Sequence, residues 1–310
     1  MGRMRSYRVS GLRVASDLVL PSLIPIGPLG AADVVVRESE VPEMLDGATR
    51  VGPRWQIGEG RFVIDLPGII RMMMIDGREL LYRVADGADR REAAIFVTGT
   101  GFGILLHQRR TILLHASAVR VGDRAVLFCG PSGAGKSTIA ASLCEAGHDL
   151  VADDFCAIDL PDMAVPMVHP DGRHLKLWED ATEGLSLVYR KGGAVRDAIR
   201  KFYVEPRTAT GRALPIAAIY ALREARPPWT PGIHVPNMVD AALIVRRNAY
   251  RPLLVRQMRQ APLYFEAAAR LAGSIGVYSV ARKLDFAGLP ALIAALEAHW
   301  RSLGMLERAA

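Results

Sequence analysis

The amino-acid sequence predicts an α/β fold with a β-rich N-terminal subdomain over residues 1–92 and a larger α/β domain over residues 93–310. Two patterns favour this class. Short runs of strand-forming residues, broken by turn residues, fill the first part of the chain. A strand, a glycine-rich loop, a helix and a second strand then follow one another between residues 124 and 154. With 310 residues and 50% apolar side chains, the chain is long enough to bury a substantial core.

Three strands of the N-terminal subdomain are predicted from their composition. They cover residues 33–37, 61–65 and 69–75, and the third ends at Asp76-Gly77, a dipeptide typical of β-hairpin turns. The methionines at positions 72–74 suit the filling of a core better than a metal or cofactor contact, because their flexible side chains adapt to irregular gaps. We therefore expect this subdomain to consist mainly of strands.

The elements of the larger domain follow from the length and spacing of its apolar runs. Residues 93–109 have the length and apolar weight of a helix despite three glycines. A hairpin over residues 111–129 turns at Gly122 and leads directly into the glycine-rich loop, after which come a short helix and a buried strand at residues 150–152. We expect further strands between residues 215 and 243, and helices over residues 261–271 and 289–303.

The net charge of +7 is unevenly distributed along the chain. From Arg190 to the C-terminus, 19 Lys and Arg stand against 8 Asp and Glu, a net of +11, which leaves −4 for residues 1–189. A basic C-terminal part suits a phosphate-rich or acidic ligand, although a solvated arginine-rich surface has the same composition. Nucleic acid is a weaker candidate, because the motifs of the common DNA- and RNA-binding modules are missing.

Cysteine usage and hydropathy indicate a cytoplasmic protein. The three cysteines, Cys129, Cys144 and Cys156, have no CxxC spacing and are too few for a disulfide framework. Residues 1–16 have no apolar segment of the signal-peptide type, and the longest apolar run, residues 93–106, is too short to span a bilayer. We expect reduced thiols and no membrane partner.

The most specific motif is a phosphate-binding loop of the form G-x-x-x-x-G-K-[ST] at residues 130–137. Its glycines let successive backbone N–H groups turn toward an anion, and the helix that follows directs its positive N-terminal end at the same point. Lys136 is long enough to reach the β- and γ-phosphates, and the Ser137 hydroxyl can bind Mg²⁺. The expected nucleotide contacts are Gly130, Ser132, Gly133, Ala134, Gly135, Lys136, Ser137 and Thr138.

Two consecutive acids, Asp153 and Asp154, end the apolar strand that follows the loop helix. One acid beside a phosphate-binding loop is enough to hold the metal. Because consecutive strand residues point to opposite faces, both acids can reach one site only where the strand ends or bends. A second carboxylate near the γ-phosphate could accept a hydroxyl proton. The alternative is one metal ligand and one acid that caps a turn.

Three segments together resemble the catalytic domain of the HPr serine kinase/phosphorylase family. They are residues 115–119 (His-Ala-Ser-Ala-Val), the loop at 130–138, and residues 147–154 (Gly-His-Asp-Leu-Val-Ala-Asp-Asp). The resemblance is close from Leu113 to Leu160 and is more specific than a phosphate-binding loop alone. It implies a P-loop-containing kinase core, related in fold to phosphoenolpyruvate carboxykinase, over residues 93–310. Members of the family are often hexamers, which allows for a homo-oligomer here.

The family's roles carry over to the matching positions of this chain. The resemblance implies ATP and Mg²⁺ as cofactors, with Lys136 on the phosphates and Ser137 and Asp153 on the metal. It also implies that Asp154 accepts the proton of the substrate serine and that His115 lies near the γ-phosphate. Without the resemblance, His115 would be interpreted as a structural histidine beside apolar residues.

The chain departs from the family in two places. The family's Leu-Glu-Ile-Arg-Gly segment, which binds metal and is tied to the reverse phosphorylase reaction, has its nearest counterpart in residues 175–180. Lys176 there replaces the glutamate, and Glu179 is the acid that a shifted register would supply. Residues 1–92 also differ from the family's N-terminal domain. A diverged branch, some of whose members phosphorylate a serine of lasso-peptide precursors, has a similar β-rich region and a Leu-Lys-Leu-Trp-type segment.

Basic residues further along the chain are candidates for completing the site. Arg200 and Lys201 suit the transferred phosphate or an acidic substrate, since a kinase needs a cation beyond the loop lysine. A solvated strand edge would have the same residues. Three arginines flank Tyr250, namely Arg246, Arg247 and Arg251. They are candidates for binding a peptide carboxylate or the nucleotide, and ordinary surface arginines are the alternative.

These observations favour an ATP- and Mg²⁺-dependent kinase that phosphorylates a serine hydroxyl of a peptide or small protein, with a lasso-peptide precursor among the candidates. A kinase acting on small-molecule hydroxyls would use the same residues. A nucleotide-binding scaffold without catalysis is a third hypothesis. The second acid and the histidine speak against the scaffold, because binding alone needs neither.

Overall fold

The structure is a computed structural model that describes residues 4–307 apart from positions 29, 163, 188–190 and 197–198. The protein is a mixed α/β structure, and its chain divides into two compact units, Met1–Thr111 and Ile112–Ala310. The sequence suggested a division after residue 92. The units divide further along the chain, because residues 90–108 pack on the sheet of the first unit.

One sheet organises the first unit. Its strands are β1 (Arg5–Val9), β2 (Leu12–Ser16), β3 (Val34–Glu38), β4 (Arg50–Gly52), β5 (Trp55–Gly58), β6 (Arg61–Leu66), β7 (Ile70–Ile75) and β8 (Glu79–Val84). They lie in the order β1-β2-β3-β8-β7-β6-β5-β4, with β3 parallel to both of its neighbours. The three strands predicted from composition are confirmed as β3, β6 and β7. Asp76 and Gly77 make the predicted turn to β8, both with positive φ.

A helical run packs on this sheet. It consists of α1 (Arg90–Phe96), a π-helical turn at Val97–Gly101 and α2 (Phe102–Gln108). Gly101 lies so close to the sheet that an added Cβ would come within 2.5 Å of Leu80. The Gln108 amide donates to the carbonyl oxygens of Gly60 and Met74 at 3.0 and 3.1 Å. The predicted helix is therefore confirmed, and one of its glycines allows the close approach to the strands.

A branched sheet organises the second unit. Its strands are β9 (Ile112–Leu114), β10 (Ala116–Val121), β11 (Arg124–Cys129), β12 (Leu150–Ala152), β13 (Cys156–Asp159), β14 (Met167–Val168), and then β18 (Leu214–Glu224), β19 (Gly232–His234) and β20 (Gly276–Arg282). The order is β12-β10-β11-β18-β14-β13-β9, and β20 also pairs with β18 and β19. β11, β18 and β20 run parallel, so their C-terminal ends share one edge of the sheet.

Helices cover both faces of this sheet. They are α3 (Lys136–Glu145), α5 (Met238–Arg247), α6 (Pro252–Gln257), α7 (Ala261–Ser274) and α8 (Leu289–Ser302). β11 is buried on both sides: Leu127 belongs to the core beneath α5 and α7, and Phe128 belongs to the core beneath α3 and α8. Such double covering is typical of parallel sheets in α/β domains. None of the described helices combines the length and the apolar composition that a transmembrane span requires.

A small second sheet lies against the α3 side of this core. Its order is β15 (Leu175–Trp178), β17 (Ile199–Val204) and β16 (Lys191–Arg196), and α4 (Glu179–Gly184) follows β15 directly. Leu175 and Leu177 of β15 are buried in the core with α3. Because side chains alternate along a strand, Lys176 and Trp178 lie on its other face.

Two of the helical predictions are confirmed, and the strand prediction for residues 215–243 is confirmed except at its C-terminal end. α7 and α8 cover the stretches predicted as helices. Between residues 215 and 243, β18 and β19 are strands as expected, but α5 begins at Met238. Asn237 caps this helix, since its Oδ1 accepts the N–H of Asp240 at 2.9 Å. This N-cap favours helix over the strand preference of Val239.

The fully buried Met72 of β7 tests the packing of the first sheet. Met72→Ala removes most of a buried side chain, and we expect it to lower the free energy of unfolding by about 2–5 kcal/mol. Urea unfolding of the full chain, followed by circular dichroism, measures the change. Met44→Ala is the matched control, because Met44 is 72% exposed and its truncation should cost within about 0.5 kcal/mol. Equal losses for both variants would show that Met72 does not fill the core.

Candidate functional site

A cavity of about 230 Å³ lies in the second unit, beside the loop that follows β11. Its lining brings together residues that are distant in the sequence. Of the predicted site residues, the cavity is lined by His115, Ser132, Gly133, Gly135, Lys136, Ser137, Thr138, Asp153, Asp154, Lys176 and Lys201. Gly130 and Ala134 belong to the same loop without lining the cavity. The loop, both acids and the histidine thus meet in one place.

Glycines set the path of this loop. Gly130, Gly133 and Gly135 have φ of 145°, 82° and 86°, values that L side chains rarely adopt. At Gly130 an added Cβ would lie 2.8 Å from the carbonyl oxygen of Leu222. The loop runs into α3, which begins at Lys136. The first N–H groups of a helix have no partner within it, so this turn can bind an anion.

Lys136 is buried beneath the loop with only 8% of its surface exposed. Its Nζ donates to the carbonyl oxygens of Gly130 and Pro131 at 3.0 and 3.1 Å. Burial lowers the pKa of its ammonium group, although the negative charge of Asp153 acts in the opposite direction. Phosphate oxygens would stabilise this buried charge better than neutral carbonyl groups do.

Asp153 is almost completely buried and joins three segments of the chain. Its Oδ1 accepts hydrogen bonds from the hydroxyl groups of Ser117 at 2.6 Å and Ser137 at 2.8 Å. Its Oδ2 accepts the backbone N–H of Lys176 at 3.2 Å. A carboxylate beside the loop serine is the arrangement that holds Mg²⁺ in phosphate-binding loops.

Asp154 reaches the same cavity because its backbone bends. Its φ is 76°, in the left-handed region, so the chain departs from strand geometry immediately after Asp153. The Asp154 carboxylate then forms an ion pair with Lys176, with 2.9 Å between Oδ2 and Nζ. Burial raises the pKa of Asp154, but Lys176 and Arg173 outweigh it and hold the pKa well below its usual range. Asp154 is therefore ionised at neutral pH.

A buried ion pair lies behind Asp154. Asp171 and Arg173 are each about 1% exposed in their side chains and contact one another, and the Arg173 guanidinium lies 4.4 Å from the ring centre of Phe155. Burial raises the pKa of Asp171 to about 6, against the opposing effect of Arg173. The pair matters to the site because Arg173 adds to the positive potential at Asp154.

His115 lies on the cavity wall with its backbone N–H donating to the carbonyl oxygen of Asn248 at 2.7 Å. Its ring meets Tyr250 edge-on at 6.1 Å between ring centres. Burial, and next the positive charge of Lys136, lower the pKa of the imidazole, while Asp154 and Asp153 raise it. The net direction is downward, so the ring is neutral at pH 7.

The small sheet divides the four possible phosphate or substrate contacts into two pairs. Lys176 and Lys201 line the cavity, and the Lys201 ammonium lies 5.6 Å from the ring centre of Trp178. Glu179 and Arg200 are not among the lining residues and form an ion pair with each other. Lys191 also holds Glu179 at 3.0 Å. The carboxylate that this segment places on the cavity wall is Asp180.

The arginines beside Tyr250 do not line the cavity. Arg251 has a φ of 48°, and its Nε donates to the Tyr250 hydroxyl at 3.1 Å. Arg246 and Arg247 lie in the last turn of α5, where basic side chains complement the helix dipole.

The donor set suits a magnesium ion shared with phosphates. Among the described residues, no group of three or more His, Cys, Asp or Glu side chains could hold a metal by itself. Mg²⁺ in nucleotide sites is usually bound by one or two protein oxygens together with phosphate oxygens and waters. Ser137 and Asp153, 2.8 Å apart, match that requirement.

Sequence reasoning missed four polar residues of the site. Ser117 bonds to Asp153, Asp180 and Asp285 line the cavity, and Arg282 lines it beside the loop. Ser117 stood within the segment that carried the family resemblance, so its position could have been noted. Nothing in the sequence signals Arg282, because it follows the loop by more than 140 residues and reaches it only through β20.

No family model and no curated protein matches the chain. Among solved structures, it is similar to the HPr(Ser) kinase/phosphatase from Coxiella burnetii. The two share 14% sequence identity over 62% of this chain and 98% of that one, with a TM-score of 0.33. A likeness of this size does not identify a function.

The charges around His115 generate a prediction for its ionisation. We expect its titration midpoint, followed by NMR of the imidazole, to lie below the ordinary value of 6.5. Lys136→Met should raise the midpoint, because a nearby positive charge is removed, whereas Asp154→Asn should lower it further. His115→Gln assigns the signal. Shifts of the same sign in both variants would contradict the arrangement of charges described here.

Proposed function

We propose that this protein is an ATP- and Mg²⁺-dependent kinase that transfers a phosphoryl group to a hydroxyl group. The observation that carries the proposal is the convergence of two consecutive acids with the phosphate-binding loop. Asp153 bonds to Ser137 at 2.8 Å, while the bend at Asp154 turns the second carboxylate into the same cavity. A scaffold that only binds nucleotide needs one acid for the metal and has no use for the second.

The residues of the cavity suit distinct tasks in such a reaction. The backbone N–H groups of the loop and of the first turn of α3 bind the phosphates, and Lys136 neutralises their charge from beneath. Ser137 and Asp153 would hold Mg²⁺, which supplies charge neutralisation and alignment of the phosphates when bound. Asp154 accepts the proton of the attacking hydroxyl group, and it can do so because it is ionised.

Lys176 gives the site a cation beyond the loop lysine. It forms its ion pair with Asp154 at 2.9 Å, so its ammonium group lies at the point where the proton is accepted. Phosphoryl transfer spreads negative charge over the transferred group, and fixed cations stabilise that charge. Lys201, on the same cavity wall, adds to the positive potential. The neutral His115 can bond to a phosphate oxygen or to the acceptor hydroxyl without adding charge.

The acceptor that we propose is a serine of a peptide or small protein, with lasso-peptide precursors as the first substrates to test. This choice rests on the segments at 115–119, 130–138 and 147–154 that resemble the HPr serine kinase family, and on the Leu-Lys-Leu-Trp segment of β15. A small-molecule alcohol is the second candidate acceptor. The cavity residues named above would serve either.

Asp154→Asn tests the proposal directly. We expect phosphoryl transfer from labelled ATP to serine-bearing peptides to fall by about 10²–10⁴ fold, because the proton acceptor is lost. The affinity for ATP should change little, so the loss should appear in kcat rather than in KM. Transfer measured with Mg²⁺ present, and ATP binding measured by calorimetry, give the two quantities.

Asp162→Asn is the matched control for this experiment, because the Asp162 side chain is fully exposed. It should leave transfer unchanged. Full transfer by the Asp154 variant would exclude it as the proton acceptor. ATP binding by the wild-type protein, without transfer to peptides or to small alcohols, would favour the scaffold over the kinase.

Lys176→Gln tests the second cation. We expect kcat to fall by about 10² fold, since one charge that stabilises the transferred group is removed. Asp154 must be ionised to act, so activity is lost as the pH falls through its pKa. Lys176 holds that pKa down, and its removal should move the acidic limb of the kcat/KM profile to higher pH. Lys191→Gln, in the same small sheet but outside the cavity lining, should leave the profile unchanged.

A further inference from the structure

One wall of the cavity differs in chemistry from the charged part around the two acids. It is the segment 282–289, which connects β20 to α8 and which we call the outer wall. Leu284 and Phe286 of this wall are 51% and 37% exposed, although both line the cavity. Covering exposed apolar side chains of a cavity wall with a ligand removes them from water, which stabilises the complex.

The outer wall stands at the edge of the sheet from which the phosphate-binding loop emerges. β20 is parallel to β18 and β18 to β11, so the chain leaves β20 on the same side as it leaves β11. The two strand ends are separated by two strand spacings, roughly 10 Å. In open α/β sheets, ligands bind in the crevice beyond the carboxyl ends of the strands. This edge is therefore within reach of a ligand held by the loop.

Arg282 fixes the distance between the loop and the outer wall. Its Nη2 donates to the carbonyl oxygen of Ala134 at 3.0 Å, and its Nη1 donates to the carbonyl oxygen of Lys283 at 3.1 Å. Gly135 leaves room for the guanidinium, because an added Cβ would lie 2.2 Å from Nη2. The wall is thus attached to the loop by a side chain that also lines the cavity.

Phe286 is held on its other side by Gly184 at the end of α4. A Cβ added to Gly184 would lie 2.8–3.1 Å from three atoms of the Phe286 ring. The absence of a side chain at this glycine lets the ring pack against the helix while 37% of the residue stays exposed. The ring is therefore held in place before any ligand binds, which suits the stacking of a planar group.

We propose that the outer wall is a nucleoside subsite, in which the base of the bound nucleotide stacks on Phe286 and packs against Leu284. This inference rests on the proposed function, since it takes the loop to hold the phosphates. Arg282 then lies between the two parts of the ligand and faces the phosphate nearest the sugar. The Asp285 carboxylate caps the turn before α8, since its Oδ1 accepts the N–H of Gly288 at 2.7 Å. Recognition of the base comes from stacking on an aromatic ring, which every base allows.

The experiment compares ADP with inorganic pyrophosphate, each titrated with Mg²⁺ into the 310-residue chain. Pyrophosphate occupies the loop alone, whereas ADP adds the nucleoside. Phe286→Ala should weaken ADP binding by roughly 10 fold or more, because stacking on the ring is lost, and should leave pyrophosphate binding unchanged. Phe286→Tyr, which keeps an aromatic ring, should restore the affinity for ADP.

Two further variants protect the result against a general loss of structure. Leu284→Ala alters an exposed residue of the outer wall and should also weaken ADP selectively. Phe265→Ala removes an exposed aromatic ring of α7 that does not line the cavity, and it should affect neither ligand. Equal weakening of ADP and pyrophosphate by Phe286→Ala and Leu284→Ala, or no effect on either ligand, would overturn the subsite. Wild-type protein that binds neither ligand would overturn the proposed function as well.

Discussion

The site depends on one buried carboxylate. Asp153 is 1% exposed, and its two oxygens accept hydrogen bonds from the hydroxyl groups of Ser117 and Ser137 and from the backbone N–H of Lys176. These donors belong to β10, to α3 and to β15, so a single side chain positions the phosphate-binding loop against the small sheet. A buried carboxylate costs several kcal/mol unless its oxygens are bonded. The three donors meet that cost, and their geometry sets the shape of the cavity.

Oxygen atoms of the protein contact the ammonium groups of two lysines at the cavity. Lys136 bonds to two carbonyl oxygens, and Lys176 bonds to Asp154. The carbonyl oxygens satisfy the buried ammonium group of Lys136 less fully than phosphate oxygens would. Under the proposed function, a triphosphate in the cavity would meet cations that are already in place. Electrostatic stabilisation of a transferred phosphoryl group is largest under that condition, because no solvent has to reorganise.

Much of the site's core could be predicted from the sequence, because the chemistry of phosphate binding fixes residue types at short spacing. The glycines of the loop, Lys136 and Ser137 all lie within eight positions, and local backbone geometry decides their arrangement. The strand that ends in the two acids follows soon after the loop. Long-range packing decides the positions of the other site residues. Arg282 reaches Ala134 across 148 positions, and Asp180 rather than Glu179 faces the cavity because Lys191 and Arg200 hold the latter.

In the fold, too, local sequence patterns predict some elements and long-range packing decides others. Three strands of the first unit, β3, β6 and β7, and the helices α7 and α8 could be predicted from the sequence pattern. The start of α5 could not, because the N-cap at Asn237 decides it. The boundary between the units depends on contacts of residues 90–108 with the sheet of the first unit, such as the bonds of Gln108 to Gly60 and Met74. Local sequence patterns do not predict such long-range contacts.

Lys176 also bears on the ionisation of the second acid. It forms an ion pair with Asp154, with 2.9 Å between Nζ and Oδ2, and it holds the pKa of this carboxyl group well below its usual range. Under the proposed function, an acid so strongly ionised can accept a proton during transfer, since the hydroxyl loses it only as the phosphorus bond forms. The pairing therefore keeps Asp154 ready to accept that proton at neutral pH, and it holds the carboxylate at the cavity.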